Sequence, residues 1–253
     1  MFAVERQKKI IESLKTEGSV LVSKLSAELG VTEETVRRDL EKLEKQEMLL
    51  RTHGGAIPID EGNHEMSLEK RKNLNIDSKI RLAKEAVKFI SAGDTIFLDA
   101  STTTFYIAKE LKSMKDITII TNSIRVVDEL AGLPDLKVIA VGGFVSNNQS
   151  FVGSQAQRII SETYFANKMF FSSRGITINA GILESNDQEC GIKQCMLKNA
   201  GKKYYLCDKS KIGRVGFAKL AQLEDIDCFI TEKNLDEEYE KVFNELNIKL
   251  IEV

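Results

Sequence analysis

Leu21 to Leu43, LVSKLSAELGVTEETVRRDLEKL, reads as two helices joined by a very tight turn. The first carries Val22, Leu25 and Leu29 on one face and stops at Gly30, a residue suited to the left-handed position after a helix end. Thr32 is placed to cap the second helix, and Glu33 and Glu34 put negative charge in its first turn, where the helix dipole favours it. On that helix Val36, Leu40 and Leu43 follow the i, i+4, i+7 spacing. At roughly 100° per residue from Val36, the opposite side carries Glu34, Thr35, Arg38, Lys42 and Lys45, with Arg37 on the flank. Asp39 lies beside the apolar stripe, which suggests an intramolecular partner for a basic neighbour. A helix with a small polar residue and paired arginines near its exposed start suits a DNA major groove. The pattern, about residues 20–39, is a helix-turn-helix.

The flanks extend it. Val4, Ile10, Ile11 and Leu14 predict a preceding amphipathic helix, the third one a module of this size needs for a core. Met48 to Thr52 and Ala56-Ile57 are short strand-like runs separated by His53, Gly54 and Gly55, a hairpin turn signal. Three helices and a hairpin make a winged helix-turn-helix, with Arg51 and His53 near the wing tip and within reach of phosphate or the minor groove. The run from Arg6 to Ala56 resembles the N-terminal domain of DeoR-type (GlpR-type) bacterial transcription regulators. The likeness is carried by R-x-x-x-I at Arg6–Ile10, by T-V-R-R-D-L and by R-x-H-G-G-A. It implies that Thr32, Glu34, Thr35, Arg37, Arg38, Lys42, Arg51 and His53 form the DNA interface.

Residues 1–56 hold ten Lys/Arg and ten Asp/Glu, so the module has no basic excess. Strong DNA binders usually show one. The expectation is therefore that the cations are segregated toward DNA with the acids elsewhere, and that two copies bind together as a homo-oligomer, dimer or tetramer. The whole chain of 253 residues has a net charge of −2, 42% hydrophobic and 29% charged residues, an ordinary globular composition with room for two domains. No apolar run approaches 18 residues and the N-terminus lacks signal-peptide character, so a cytoplasmic protein without a membrane segment is expected. Cys190, Cys195, Cys207 and Cys228 form no CxxC pair and the histidines are only His53 and His64, so neither a metal nor a cofactor is expected.

Composition divides the chain into a DNA-binding module over 1–57, a charged linker with Pro58 and Gly62 over 58–75, and a third region over 76–253. In that region Ile80–Ser91 and Thr103–Leu111 look helical. Thr95–Asp99, Ile117–Thr121, Leu136–Gly143, Lys168–Ser172, Lys203–Cys207, Ile226–Thr231 and Ile248–Val253 look like strands. Continuous apolar strands alternating with helices predict an α/β domain with a mostly parallel sheet covered on both faces. Ligands of such sheets sit outside the carboxyl ends of the strands. Here those ends carry Asp99–Thr104, Thr121-Asn122-Ser123, Gly142-Gly143, Ser172-Ser173-Arg174-Gly175 and Asp208–Lys211. The hydroxyls of Ser101 and Thr102 fit either a phosphate cradle or plain helix caps. Arg174 and Lys211 would give charge-assisted bonds to an anion.

The runs IFLDASTTT, ITNSIRVVDEL, VGGFVSNNQSFVG, SNDQECGIKQCML and LCDKSKIGRVGFAKLAQLEDIDCFIT resemble the DeoR-type C-terminal sensor, itself similar in fold to ribose-5-phosphate isomerases and CoA transferases. The resemblance implies a phosphorylated sugar effector bound by Asp99, Ser101, Thr102, Thr103, Thr104, Asn122, Glu189, Lys193 and Lys211. Two departures stand out: Ala100-Ser101 where many members have Ser-Gly, and Ser172-Ser173-Arg174-Gly175 where many have Gly-Ala-Asp-Gly. Arginine in place of an acid changes the site by two charges, which favours a ligand richer in negative charge or one with its phosphate turned the other way. The expected function is a repressor of a carbohydrate-catabolic operon, bound to a double-stranded operator and modulated by a sugar phosphate. One alternative is a sugar-phosphate isomerase fused to a DNA-binding module, with Glu189 or Asp208 as base and Lys211 as electrophile. The other is a regulator whose sensor binds a protein partner.

Overall fold

A computed structural model describes residues 3–17, 19–45, 48–52, 54–57 and 66–253, which fall into two compact units, Met1–Lys70 and Arg71–Val253. The first contains α1 (Ala3–Glu17), β1 (Val20–Leu21), α2 (Val22–Leu29), α3 (Glu33–Lys45), β2 (Leu50–Thr52) and β3 (Gly55–Ile57). Helix α2 ends as its sequence requires, on Gly30 at φ 64° and ψ 37°. The turn is tied by Val31 N–H to Ser26 O at 3.2 Å and by Ser26 Oγ–H to Val31 O at 2.6 Å. Thr32 Oγ1 accepts from Thr35 N–H at 3.3 Å and opens α3. Ile10, Leu14, Val22, Leu25, Val36, Leu40 and Leu43 share one buried core.

Four details differ from the pattern reading. Val4 is 78% exposed and lies off the core stripe. Val20–Leu21 form a strand, because β1 pairs antiparallel with β3 and the wing is a three-stranded sheet ordered β1-β3-β2. Gly55 sits within β3 rather than in the turn: a Cβ there would lie 1.8 Å from Val20 O, so the close approach of β1 demands glycine. Within the stretch of linker composition, Leu68–Asn73 form helix α4 with Leu68 buried. Its Leu, Glu, Lys and Arg are strong helix formers whose charge mimics a loop. Pro58 and Gly62 lie outside the described residues.

The second unit contains α5 (Ile76–Ala86), β4 (Thr95–Leu98), α6 (Phe105–Leu111), β5 (Ile117–Thr121), α7 (Ile124–Leu130), β6 (Leu136–Ala140), β7 (Phe144–Val145), β8 (Phe151–Val152) and α8 (Ser154–Thr163). It continues through β9 (Ala166–Phe171), β10 (Gly175–Thr177), β11 (Gly181–Glu184), α9 (Asp187–Lys198), β12 (Ala200–Cys207), β13 (Ala218–Ala221), β14 (Cys228–Thr231), α10 (Glu237–Glu245) and β15 (Lys249–Glu252). Among the described residues, seven strands form one parallel sheet ordered β15-β14-β12-β9-β4-β5-β6. These are the seven apolar runs of the sequence.

Their side chains alternate between two cores. Phe97, Ile120, Met169, Phe171, Tyr205 and Phe229 face α8, α9 and α10. Ile96, Leu98, Ile119, Phe170, Tyr204, Leu206 and Ile230 face α5, α6 and α7. Burial on both faces explains why the strands read as continuous apolar runs. From β4 the chain moves outward through β5 and β6, then returns to β9 on the other side of β4 and moves outward again. The topological switch therefore lies between the carboxyl ends of β4 and β9, the place where such sheets hold ligands. The antiparallel sheet β10-β11-β13 and the β7-β8 hairpin, absent from the pattern reading, are too short to show a period.

Candidate functional site

The exposed face of α3 is the candidate nucleic-acid interface. Thr32, Glu34, Arg37, Arg38 and Lys42 are exposed and Thr35 is half-buried, all away from the core stripe. Arg51 is exposed on β2, while His53 and the side chain of Lys45 lie outside the described residues. The acids, however, are not elsewhere. Arg37 pairs with Glu33 at 2.7 Å, Arg38 with Glu34 at 3.3 Å, and Arg51 with Glu44 at 3.8 Å. For Arg37 and Arg38 the cause is spacing: an acid in the first turn of α3 sits one turn ahead of each. Exposed pairs of this kind contribute about 0–1 kcal/mol, so phosphates displace the glutamates cheaply. Asp39, by contrast, is buried, accepting from Arg6 Nε and from Gln7 Nε2 at 3.1 Å.

Arg38 has a 75% exposed side chain, so Arg38→Ala is expected to leave folding intact. Operator affinity should drop by roughly 1–3 kcal/mol at physiological salt. Titration of the variant against a selected operator duplex checks it, and unchanged affinity would place the reading face elsewhere on α3.

In the second unit the switch point is filled by polar groups. Asp99, at the end of β4, is fully buried. Its Oδ1 accepts from Thr104 Oγ1 at 2.7 Å and Ser101 N at 3.2 Å, and its Oδ2 from Lys193 Nζ at 2.8 Å and Ser172 N at 3.3 Å. Those four donors use a carboxylate's acceptor capacity. Lys193 on α9 is equally occupied: besides Asp99 it donates to Glu184 Oε2 at 2.5 Å and Ser172 O at 2.8 Å. Burial works against its ammonium, but Asp99, then Glu184 and Glu189, outweigh burial and hold its pKa above the ordinary lysine range. Ser101 Oγ accepts from Thr104 N at 3.1 Å, a cap of the turn before α6, which begins at Phe105 rather than Thr103. Asp99, Ser101, Thr104 and Lys193 thus hold the strand ends together and have little bonding capacity left for a ligand.

Lys211, Thr103 and Asn122 keep such capacity. Lys211 Nζ donates to Ser172 Oγ at 2.7 Å and Thr103 Oγ1 at 3.2 Å, with Asp208 Oδ2 more distant at 3.6 Å. Thr102 and Thr103 are buried in the turn after β4. Asn122, after β5, is fully buried; its Nδ2 donates to Phe151 O at 3.3 Å, while its Oδ1 has no hydrogen-bond partner among the described residues. Glu189, on α9, is buried and accepts from Ser150 Oγ and from Ser146 Oγ at 3.2 Å. Burial pushes its carboxyl up, against Lys193 and the Ser150 hydroxyl. Arg174 is buried after β9, its amide donating to Leu183 O at 3.0 Å. Asp208 accepts from Ser210 Oγ, Ser210 N and Asn75 Nδ2; burial would raise its pKa, but Lys211 and these donors bring it below the usual range.

Ser172, named in the sequence only as part of the strand end Ser172–Gly175, belongs to this network, as do Glu184, Asn75 and Lys79, which the sequence did not single out. Only Glu184 left a signal, as a charged residue closing the apolar run GIL. Lys79 is buried on α5, donating to Leu74 O at 2.6 Å and to Arg71 O. Burial, then Lys211, lowers its pKa from 10.5 to about 8, against Asp208. Between those values the unfolded chain binds more protons, so the stability due to Lys79 rises with pH. Relative to Lys79→Met, the native chain is expected to gain roughly 3 kcal/mol between pH 8 and 10.5. Urea melts of both proteins across that window measure it, and a pH-independent difference would contradict it.

A winged helix-turn-helix ahead of an α/β unit with a polar switch point is the build of a transcription regulator with a sensor domain. Residues 6–61 match the DeoR-like helix-turn-helix domain and residues 74–233 the DeoR C terminal sensor domain. The chain belongs to the DeoR family of HTH-type transcriptional regulators. It is 39% identical to the uncharacterized HTH-type transcriptional regulator YulB of Bacillus subtilis, over 100% of this chain and 98% of that protein. It is 34% identical to the lactose phosphotransferase system repressor of Staphylococcus epidermidis, over 94% and 95%. A solved ribose 5-phosphate isomerase A from Methanocaldococcus jannaschii aligns over 55% of each chain with TM-score 0.41 and 17% identity. Among the described residues no helix is long and apolar enough to cross a membrane.

Proposed function

We propose that this regulator is a cytoplasmic repressor of a carbohydrate-catabolic operon, released from its operator by a phosphorylated sugar and acting as a homo-oligomer without cofactor or catalysis. The observation that carries the effector class is the unequal saturation of the switch point. Lys211 and the Thr103 hydroxyl offer a cation and a hydroxyl to an anion, while Asn122 Oδ1 offers a buried acceptor to a sugar hydroxyl. The relative named as a repressor of the lactose phosphotransferase system supports the sugar reading. Against an isomerase with Asp208 as its base, that carboxylate is ionised and engaged by three donors, which leaves it a poor base.

Operator release from the native chain, measured against a panel of hexose and pentose phosphates, tests the proposal. Lys211→Ala should raise the required concentration by about tenfold or more, the worth of a hydrogen bond to a charged group, and Thr103→Ala by less. Thr103→Ala should bind operator normally without ligand, and the Lys211→Ala curve is read from the operator fraction it still holds. Superimposable release curves would move the ligand elsewhere, and turnover of any sugar phosphate would favour the enzyme.

A further inference from the structure

Residues 71–75 are the first of the sensor unit and follow directly on the DNA-binding unit in the chain. Side chains fix them to two loops of the site. Arg71 Nη2 donates to Asn148 Oδ1; Asn148 N–H donates to Ser146 Oγ at 3.1 Å, and Ser146 Oγ–H to Glu189 Oε1 at 3.2 Å. Asn75 Nδ2 donates to Asp208 Oδ1 and Ser210 Oγ, each at 3.0 Å. Asn75 stands at the start of α5 with φ 51° and ψ 40°, and its side chain makes no cap bond there. Asparagine tolerates this left-handed conformation better than most residues, and the amide is thereby free to reach a loop 133 positions away. Asp208 is divided between two tasks: one oxygen holds Asn75, and the other lies 3.6 Å from Lys211 Nζ, the cation that holds Thr103 and Ser172.

We propose that Asn75 and Arg71 are positioning residues of a clasp that couples the Thr103–Ser172–Lys211 cluster to the segment entering the sensor. Charge arriving at Lys211 thereby changes the grip on residues 71–75. The inference rests on the sensor reading above and deepens it. The contact of Lys211 with Asp208 is the longest of its three, and an anion at Lys211 competes for the ammonium. Among the described residues Asp208 then has Asn75, Ser210 and the nearby Lys79 to compensate it, and its hold on them strengthens. Lys79 adds a second tie, through the carbonyls of Arg71 and Leu74, and Lys211 opposes its charge. Neutralising Lys211 therefore tightens both ties. A segment held more tightly restricts the arrangements open to the DNA-binding unit, which is the differential an effector needs.

Hydrogen exchange of the full chain without ligand tests the clasp. Asn75→Gly keeps the left-handed backbone and deletes the amide. Exchange across residues 71–79 should speed up by about fivefold or more, because both side-chain hydrogen bonds of Asn75 are lost and one alone has about that effect on local opening. Lys211→Met should slow exchange in the same residues by about twofold or more, although the hydrogen bonds of Lys211 go to Ser172 and Thr103. Unchanged exchange in Asn75→Gly, or unchanged or faster exchange there in Lys211→Met, overturns the proposal. Should Asn75→Gly fail to fold, Asn148→Ala tests the other tie, with faster exchange at 71–75 expected and unchanged exchange overturning it. If ribose 5-phosphate and fructose 6-phosphate both leave operator binding by the native chain unaffected, the effector reading falls; the ligand-free exchange comparison still decides the clasp.

Discussion

Asp39→Ala is expected to abolish operator binding while the sensor unit stays folded. Asp39 is buried, and it accepts from the Arg6 guanidinium and from Gln7. Truncation leaves the Arg6 charge without its carboxylate at the junction of α1 and α3, a loss of about 3–5 kcal/mol for a buried pair. The unit that bears this loss has one small core, built from residues such as Ile10, Leu25, Leu40 and Leu43. Domains of that size rarely have more than about 3–5 kcal/mol in reserve. The variant should therefore lose its DNA-binding unit at ambient temperature. A thermal scan by circular dichroism should retain the sensor transition and lack the other. Replacing both partners, Arg6→Met with Asp39→Leu, removes the stranded charge and should restore much of the helical signal. An Asp39→Ala chain that bound operator as tightly as the native one would mean that the pair contributes no more than an exposed ion pair.

Much of the DNA-binding unit was legible because its signals are local. Gly30, the Thr32 cap and the Val36–Leu40–Leu43 stripe each decide a conformation within one or two turns, and the structure has all three. The seven strands were legible for a similar reason, since burial on both faces makes each an apolar run. What escaped depends on distant partners. The strand Val20–Leu21 exists only because Gly55 lets it approach, and the acids beside Arg37 and Arg38 cannot be told from segregated ones by counting charge. At the switch point the sequence marked the right neighbourhood but not the division of labour. Asp99 and Lys193 lie 94 positions apart, and nothing local reveals that each has its bonding capacity filled. Glu184, which completes their cluster, ends a strand that otherwise reads as plain core.

Lys193→Met should show that this cluster is structural. Lys193 stands against two buried carboxylates, Asp99 at 2.8 Å and Glu184 at 2.5 Å. Their attraction outweighs the burial of the ammonium, so its folded pKa is raised, and the stability it contributes is fully present below the ordinary lysine value and is lost only as pH rises through the higher folded one. At neutral pH the whole contribution is therefore available to be lost. Methionine fills most of the space but leaves both carboxylates without their cation, a cost of about 3–5 kcal/mol against a total of roughly 5–15 for a domain. The sensor transition should fall accordingly in a urea melt at pH 7, with operator binding by the DNA-binding unit retained. Adding Glu184→Gln to the same chain removes one of the two stranded charges and should recover part of the loss, but not all, because Asp99 stays uncompensated. A ligand-contact role predicts the opposite split: near-native stability with a displaced effector response. Native-like unfolding of Lys193→Met would return Lys193 to the ligand-binding set and require that Asp99 find another partner.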